Sequence, residues 1–325
     1  MVSRDYLQLF EMPSALIEPA LKMCRRFNTC LDYDFYDVPA FAEFLHSHGE
    51  DIGTVGGKPD KGAPSTLDLS AFDNPEGAIL VIDASQPPFV LRFDKVPDFL
   101  EWHGKAEKQP TTVCISGVGS SALGSAALAW DISRAIHDNV IAIVPGYGVA
   151  DCILQALGGW FGFGFYNAFN TKSNVQELLA MTVPETAWIG RNLSASAPGS
   201  KKAPTGAPIF QTGSGSSDVL HALLQEIALK RLIGHSKGAL AIANAIRSLH
   251  PDERNGLQVV TLGCPIAAEF DTVTYRQFLG LFDALGQLNS WNNLPDTWLP
   301  SGHSTNMCLP LSMDVERLSQ PTGRG

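Results

Sequence analysis

Short apolar runs alternate along this chain with longer amphipathic or alanine-rich stretches, and the alternation predicts strands and helices in turn. The runs Ala78–Ile82 and Phe89–Phe93 lie on either side of Gln86-Pro87-Pro88, which predicts a hairpin or two adjacent strands at the start of a sheet. The β-branched run Thr111–Ser116 predicts the next strand, and the alanine-rich stretch Ala122–Ile136 predicts a helix directly after it. The predicted sheet region therefore begins with a strand–strand–strand–helix order.

The same alternation continues to the C-terminal part of the chain. The further predicted strands are Val140–Val144, the run at Leu232 and Ile233, Gln258–Leu262 and Gln287–Trp291, and the further predicted helices are Ser217–Leu229 and Tyr275–Leu285. Strands that alternate with helices form parallel sheets with right-handed crossovers. We therefore expect an α/β fold with a mostly parallel central sheet that is flanked by helices.

Two regions depart from this rhythm. Residues 1–75 are predicted to form a helical N-terminal preface and linker; the amphipathic face of the preface is made by Leu16, Ala20, Met23, Cys24 and Phe27. Packing on the domain and a role as a partner-binding or lipid-surface arm both remain open for it. Residues 159–217 begin with a glycine–aromatic run and end in a Ser/Ala/Pro/Gly-rich stretch, which predicts a lid-like insertion. Residues 76–325 then form one α/β domain around that insertion.

Composition narrows the class of protein. The 325 residues are 45% hydrophobic and 17% charged, which supports a large core. The net charge of −10 argues against a nucleic-acid partner, because phosphate binding needs a basic face. No secretory leader or membrane-spanning run is evident, and the cysteines show no metal-ligand spacing, so we expect a cytoplasmic protein. The six cysteines are Cys24, Cys30, Cys114, Cys152, Cys264 and Cys308.

Residues Gly234-His235-Ser236-Lys237-Gly238 match G-x-S-x-G, in which a tight strand-to-helix turn lifts a serine hydroxyl above a sheet. Leu232 and Ile233 supply the strand before the turn, and an alanine-rich stretch supplies the helix after it. Ser236 is therefore a candidate nucleophile. The alternative is a buried serine in an ordinary strand–turn–helix.

A serine nucleophile needs a histidine to accept its proton and a carboxylate to orient that histidine. Downstream of Ser236 the chain has His250, beside a predicted solvated turn, and His303, in a loop beyond the last predicted strand; His303 is the preferred base. The preferred acid is Asp296, which also follows that strand. Asp271 and Asp283 are its rivals, because both follow the strand at 258–262.

Three motifs within residues 112–305 resemble the α/β-hydrolase superfamily and are similar to its class 3 lipase group. They are GHSKGALA at 234–241, VVTLGCP at 259–265 and NNLPDTWLP at 292–300. The resemblance implies that Ser236 is the nucleophile and that Asp296 is the acid. Lys237 stands where that family usually has leucine, and residues 1–75 have no counterpart in it.

An oxyanion hole is expected from two backbone N–H groups, that of Lys237 after the nucleophile and one from a loop after an earlier strand. Ser116-Gly117-Val118 resembles the family's turn at that place, which makes Val118 the second candidate. The turn at 145–148 is a competitor.

The predicted activity is hydrolysis of a carboxylic ester through an acyl-enzyme, without metal or cofactor. The aromatic run at 160–169 favours a hydrophobic acyl substrate and a transient contact with a lipid surface, although core packing explains it equally well. Two other functions remain open. The turn Gly117–Ala122 also matches the G-x-G-x-x-G/A pattern of dinucleotide sites, and the chain can also be a non-catalytic scaffold with a degenerate site.

Overall fold

One mixed sheet organises the part of the chain that the computed structural model describes, which comprises residues 30–50, 77–117, 120–145, 215–247, 249–290 and 293–320. Its eight strands, in spatial order β2-β1-β4-β3-β5-β6-β7-β8, are joined edge to edge. They are β1 Ile79–Ile82, β2 Val90–Phe93, β3 Thr112–Ile115, β4 Val140–Ile143, β5 Arg231–His235, β6 Gln258–Leu262, β7 Thr274–Gly280 and β8 Thr297–Leu299. Strand β1 is antiparallel to β2 and β4, and all other neighbours are parallel. The predicted α/β fold with a mostly parallel sheet is confirmed.

Helices cover both faces of this sheet. They are α1 Val38–Ser47, α2 Val96–Lys105, α3 Ala122–Ile136, α4 Gly215–Glu226, α5 Gly238–Arg247, α6 Ala284–Asn289 and α7 Val315–Ser319. Because side chains alternate along a strand, Leu80 and Ile82 pack in one apolar layer with α1, α3 and α7, whereas Ile79 and Val81 pack in the other with α2, α4 and α5. The two layers hold the carboxyl ends of the parallel strands at one common edge.

Two sequence predictions near the C-terminal part are wrong, because a helix and a strand are exchanged. The stretch predicted as the helix Tyr275–Leu285 contains strand β7, and the stretch predicted as the strand Gln287–Trp291 overlaps helix α6. The last four residues of β7 are all buried, so this end of the strand lacks the polar–apolar alternation that identifies a half-buried strand. The error matters for the site, since it misplaces the residues that follow β7.

Several predictions fall on residues outside the described ranges. These are the apolar face at residues 16–27, the linker at 51–65 and the predicted insertion up to residue 214. The last three residues of that predicted insertion, 215–217, begin helix α4. In the described ranges, no helix combines the length and the apolar character that a bilayer crossing requires.

Candidate active site

Ser236 lies directly after β5 in a backbone conformation that serine rarely adopts. Its φ is 52°, in the left-handed region, and its N–H donates to the carbonyl of Leu262 at 2.8 Å. Non-glycine residues in this region carry strain and occur often at functional sites. The strained turn between β5 and α5 is the geometry that a G-x-S-x-G nucleophile requires.

The two glycines of the motif are sterically required. A Cβ at Gly234 would overlap the Cα of Ala239, and a Cβ at Gly238 would overlap the carbonyl oxygen of Ile115 on the neighbouring strand β3. The absence of side chains therefore lets helix α5 begin directly against the sheet.

His303 and Asp283 form a buried hydrogen-bonded pair. The Nδ1–H of His303 donates to Asp283 Oδ2 at 2.8 Å; the aspartate side chain is fully buried, and that of the histidine is 10% exposed. The other oxygen, Asp283 Oδ1, accepts from the N–H of Gly286 at 2.6 Å in the first turn of α6. This arrangement fixes the imidazole ring and leaves its Nε2 lone pair available to accept a proton.

The pair lies at the same edge of the sheet as the serine. His235 on β5 is paired with Leu262 on β6, so Ser236 and Gly263 are level with each other just beyond the two strands. A Cβ on Gly263 would lie 3.0 Å from both Asp283 Oδ2 and His303 Nδ1, so the pair sits directly over this glycine. Among the described residues no hydrogen bond joins Ser236 Oγ to the His303 ring, and such bonds commonly tighten only when substrate binds.

The structure does not bring Asp296 to His303. Asp296 precedes β8 and is held against the middle of β7, where its N–H donates to the Gln277 carbonyl at 2.9 Å and its Oδ2 accepts from the Gln277 N–H at 2.7 Å. The prediction placed Asp296 after a last strand at Gln287–Trp291. The last strand of the sheet is instead β8, which begins directly after Asp296. Asp283, one of the two rivals, occupies the position after β7 instead.

Asp271 and His250, the remaining candidates for the acid and the base, lie away from this edge. Asp271 is exposed in the turn that enters β7, and His250 is exposed before the 3-10 helix Pro251–Arg254, which precedes β6. Both residues are therefore near the amino ends of parallel strands. His303 follows β8, a strand that the sequence analysis did not predict, and not the strand predicted at Gln287–Trp291.

A directed chain of hydrogen bonds passes behind the serine. The Gly117 N–H donates to Tyr36 Oη at 2.6 Å, the Tyr36 hydroxyl donates to His235 Nδ1 at 2.9 Å, and His235 Nε2–H donates to the His303 carbonyl at 2.9 Å. In this assignment His235 accepts at Nδ1 and donates at Nε2, so its imidazole carries one proton and is neutral. Burial, with a smaller contribution from His303, lowers the pKa of His235 to about 3, in agreement with this assignment.

Neutral His235 also affects the chemistry of His303. Their ring centroids are 4.9 Å apart, so a charge on His235 would oppose protonation of His303. Because His235 stays neutral, an imidazolium can form on His303 without that repulsion. Phe35 makes an edge-to-face contact with His303, with the two ring centroids 5.7 Å apart.

The N-terminal segment around Tyr36 also holds the loop that carries His303. The Phe35 carbonyl accepts from the Thr305 N–H at 2.9 Å and from its hydroxyl at 2.7 Å, and the Tyr33 carbonyl accepts from Asn306 Nδ2 at 2.7 Å. Sequence reasoning missed this contribution, because nothing local to residues 30–36 indicates contacts that lie about 270 positions away.

The candidate oxyanion donors are only partly described. Lys237 follows Ser236 in the turn that leads into α5, as the motif predicts, whereas Val118 lies outside the described residues. The adjacent Gly117 is close to the serine: a Cβ built on it would lie 3.4 Å from Ser236 Cβ and 3.8 Å from Ser236 Oγ. The turn after β3 therefore approaches the nucleophile from the side opposite to β6, since β5 lies between β3 and β6.

The start of helix α3, which matches the dinucleotide pattern, carries a carboxylate of the chain itself. Asp32 accepts from the Ser121 N–H at 2.9 Å and from Ser120 Oγ at 2.8 Å. Within the described ranges, His, Cys, Asp and Glu side chains form no group of three or more that is arranged to hold a metal ion.

Known protein families, curated proteins and solved structures give no match to this chain. A strained serine, a histidine whose Nε2 has no hydrogen-bond partner within the described ranges and a buried carboxylate on Nδ1 are the groups that nucleophilic acyl transfer needs.

Proposed function

We propose that this protein is a serine hydrolase of the α/β-hydrolase type that cleaves carboxylic esters through an acyl-enzyme. The observation that carries the proposal is the strained Ser236 turn at the same sheet edge as the buried His303–Asp283 pair. Ser236 follows β5, Asp283 follows β7 and His303 follows β8. This is the Ser–Asp–His chain order of α/β-hydrolases.

In the proposed reaction, Ser236 Oγ attacks the ester carbonyl carbon while His303 Nε2 takes the hydroxyl proton. Asp283 stabilises the imidazolium that forms, because its carboxylate accepts from Nδ1–H. His303 then gives the proton to the leaving alcohol, and the acyl group remains on Ser236. A water molecule, deprotonated by the same Nε2, releases the acid.

The negative charge of the tetrahedral intermediate needs backbone donors at its oxygen. The N–H of Lys237 is the proposed first donor, because it follows the nucleophile at the start of α5. Val118 remains the sequence-based candidate for the second donor. The aspartate of the triad is Asp283 in this proposal and replaces Asp296.

Exposed apolar side chains near the site support a hydrophobic ester as the substrate class. Leu281 and Phe282, which are 53% and 64% exposed, lie between β7 and Asp283, and Met307, Leu309 and Leu311 follow His303 along its loop. Apolar surface next to a catalytic edge favours acyl chains over polar acids. The lid-like role of residues 159–217 stays a prediction.

The nucleotide-binding alternative is less favoured. A phosphate at the start of α3 would meet the Asp32 carboxylate, which already accepts from Ser120 and Ser121. Two negative groups at one helix start repel each other. The alternative of a non-catalytic scaffold is separated from the proposal by the experiment below.

The test is hydrolysis of p-nitrophenyl esters of short and medium acyl chains by the wild type, Ser236→Ala and the control Ser47→Ala, which changes an exposed serine at the end of α1. We expect Ser236→Ala to lose at least about 10³-fold in kcat, and Ser47→Ala to keep wild-type rates. Faster turnover of the longer acyl chains supports the hydrophobic substrate. Equal activity of Ser236→Ala and the wild type would refute the proposal.

A further inference from the structure

Asp32 is a buried acid outside the proposed triad, and it contacts the turn that joins β3 to α3. It is 2% exposed, and its two oxygens accept separately from Ser120 Oγ and from the Ser121 N–H. A Cβ at Gly124 would overlap the Asp32 carboxylate, so glycine at that position of the helix allows the close approach. Asp32 is therefore hydrogen-bonded directly to this turn.

The same segment also holds the other end of the turn. Tyr36 Oη accepts from the Gly117 N–H at 2.6 Å, and the Tyr36 N–H donates to the Asp32 carbonyl at 2.8 Å. Asp32 and Tyr36 are thus one helical turn apart and fixed relative to each other. Together they clamp the turn at Gly117 on one side and at Ser120 and Ser121 on the other.

This clamp acts next to the nucleophile. Gly117 lies beside Ser236, since a Cβ built on it would be 3.4 Å from Ser236 Cβ. A shift of the turn would therefore move the backbone beside Ser236. Displacements of about 1 Å in groups that position the reacting atoms can cost roughly 100-fold in rate.

We propose, resting on the proposed function, that Asp32 is a positioning residue that holds the β3–α3 turn in place beside Ser236 during ester hydrolysis. It acts through Ser120 and Ser121 and does not touch the reacting atoms. The N-terminal segment that carries Asp32 and Tyr36 thereby has a role in the site, which the sequence leaves open.

Burial of Asp32 disfavours the charge on its carboxylate. Burial raises the pKa of its carboxyl to about 7, although the hydrogen bonds from Ser121 and Ser120 act in the opposite direction. The groups that face it are Ser120, Ser121 and Gly124 on the turn and helix α3, and the Tyr36 phenol on its own segment. The hydrogen bonds from Ser120 and Ser121 therefore favour the ionised carboxylate against its burial, and the same contacts hold the turn.

The experiment compares Asp32→Leu, whose side chain branches at the same carbon but has no acceptor, with Asp32→Asn, whose amide oxygen can still accept from the Ser121 N–H. The matched control is Asp131→Asn, another buried acid, which lies within α3 and away from the turn. Each variant is measured for kcat and KM with p-nitrophenyl esters, and for hydrogen–deuterium exchange of the peptide that spans residues 115–125.

We expect Asp32→Leu to lower kcat by about 10-fold or more with KM within about twofold, because the turn and not substrate binding is disturbed. Its exchange should become faster in the 115–125 peptide. Asp32→Asn should keep kcat within about threefold of the wild type, since one acceptor remains. Its exchange in the 115–125 peptide should equal that of the wild type. Asp131→Asn should match the wild type in both measurements.

A wild-type kcat in Asp32→Leu would overturn the inference, as would an equal loss of kcat in Asp131→Asn. If Asp32→Leu does not unfold cooperatively, Asp32→Ala takes its place under the same criteria. The proposed function fails in a different way, through Ser236-independent or absent hydrolysis in the wild type. Exchange then decides alone whether Asp32 holds the turn: faster exchange at 115–125 supports the clamp and unchanged exchange overturns it.

Discussion

Asp283 uses both carboxylate oxygens at the site, one on His303 and one on the start of α6. Asp296 likewise accepts from a backbone N–H, that of Gln277 on β7, but it has no contact with the histidine. The two acids are thus a matched pair at the residue scale. Each carboxylate accepts a hydrogen bond from a backbone N–H, and only Asp283 also orients the candidate base His303.

We expect Asp283→Asn to lower kcat by about 10³- to 10⁴-fold, because an amide at this position holds the wrong tautomer of His303 and cannot stabilise its charge. Asp296→Asn should stay within about threefold of the wild type, since its amide oxygen can still accept from Gln277. Steady-state ester hydrolysis measures both. The reverse ranking of the two variants would return the acid to Asp296.

Two buried groups make stability depend on pH in opposite directions. Burial raises the pKa of Asp32 from 3.8 to about 7, so the native state keeps a proton that the unfolded state loses, and stability falls as pH rises across this interval. Burial lowers the pKa of His235 from 6.5 to about 3, so stability rises with pH between those values. In the wild type the two dependences largely oppose each other.

Asp32→Asn removes only the first dependence. We therefore expect its free energy of unfolding to increase relative to the wild type as pH rises from about 4 to 7, by up to about 4 kcal/mol. Urea unfolding of both proteins at several pH values in this range gives the difference. A difference that does not change with pH would contradict the titration of Asp32.

At the scale of elements, the β5–turn–α5 unit sets the position of Ser236. Because a Cβ at Gly238 would overlap the Ile115 carbonyl, Gly238→Ala should force α5 away from β3 and destabilise the fold by about 3 kcal/mol. The control is Gly104→Ala in α2, where a Cβ meets no atom within 4 Å and should stabilise the helix by about 0.5 kcal/mol. Chemical denaturation distinguishes them. A neutral Gly238→Ala would show that the unit has room for a side chain.

At this scale, one part of the site can be predicted from the sequence and another cannot. The G-x-S-x-G pattern predicts the Ser236 turn because strand, glycines and helix are all local to it. Strand β7 and helix α6 are exchanged in the prediction, since the buried end of β7 has no period-two pattern. This error and the resemblance of the motif at 292–300 together favour Asp296 as the acid, because the misplaced strand hides the end of β7 that Asp283 follows.

At the scale of the whole molecule, the N-terminal segment joins parts of the site that are distant in sequence. Tyr36 and His235 are 199 positions apart, and the hydrogen bond between them links the turn at Gly117 to the loop of His303. Sequence patterns describe neighbours within a helix or strand, so they could not predict this chain of contacts. The sheet and its two helical layers follow from the alternation of apolar residues, whereas this link depends on the complete fold.

Tyr36→Phe tests that link, because it removes the hydroxyl that serves both Gly117 and His235. We expect a loss of about 1–3 kcal/mol in stability from the two unpaired buried groups, and a decrease in kcat of about 10-fold. Tyr33→Phe is the control, since the Tyr33 ring is 47% exposed. Equal effects in the two variants would mean that the hydroxyl of Tyr36 does not connect the turn to the histidine loop.

Ser236 is proposed to be an activated nucleophile, and covalent labelling with a fluorophosphonate tests this role most directly. The reagent reacts with a serine that a histidine has deprotonated, and peptide mapping then locates the adduct. We expect one adduct on Ser236 in the wild type and loss of labelling in Ser236→Ala. An adduct on a different residue, or undiminished labelling of Ser236→Ala, would contradict it.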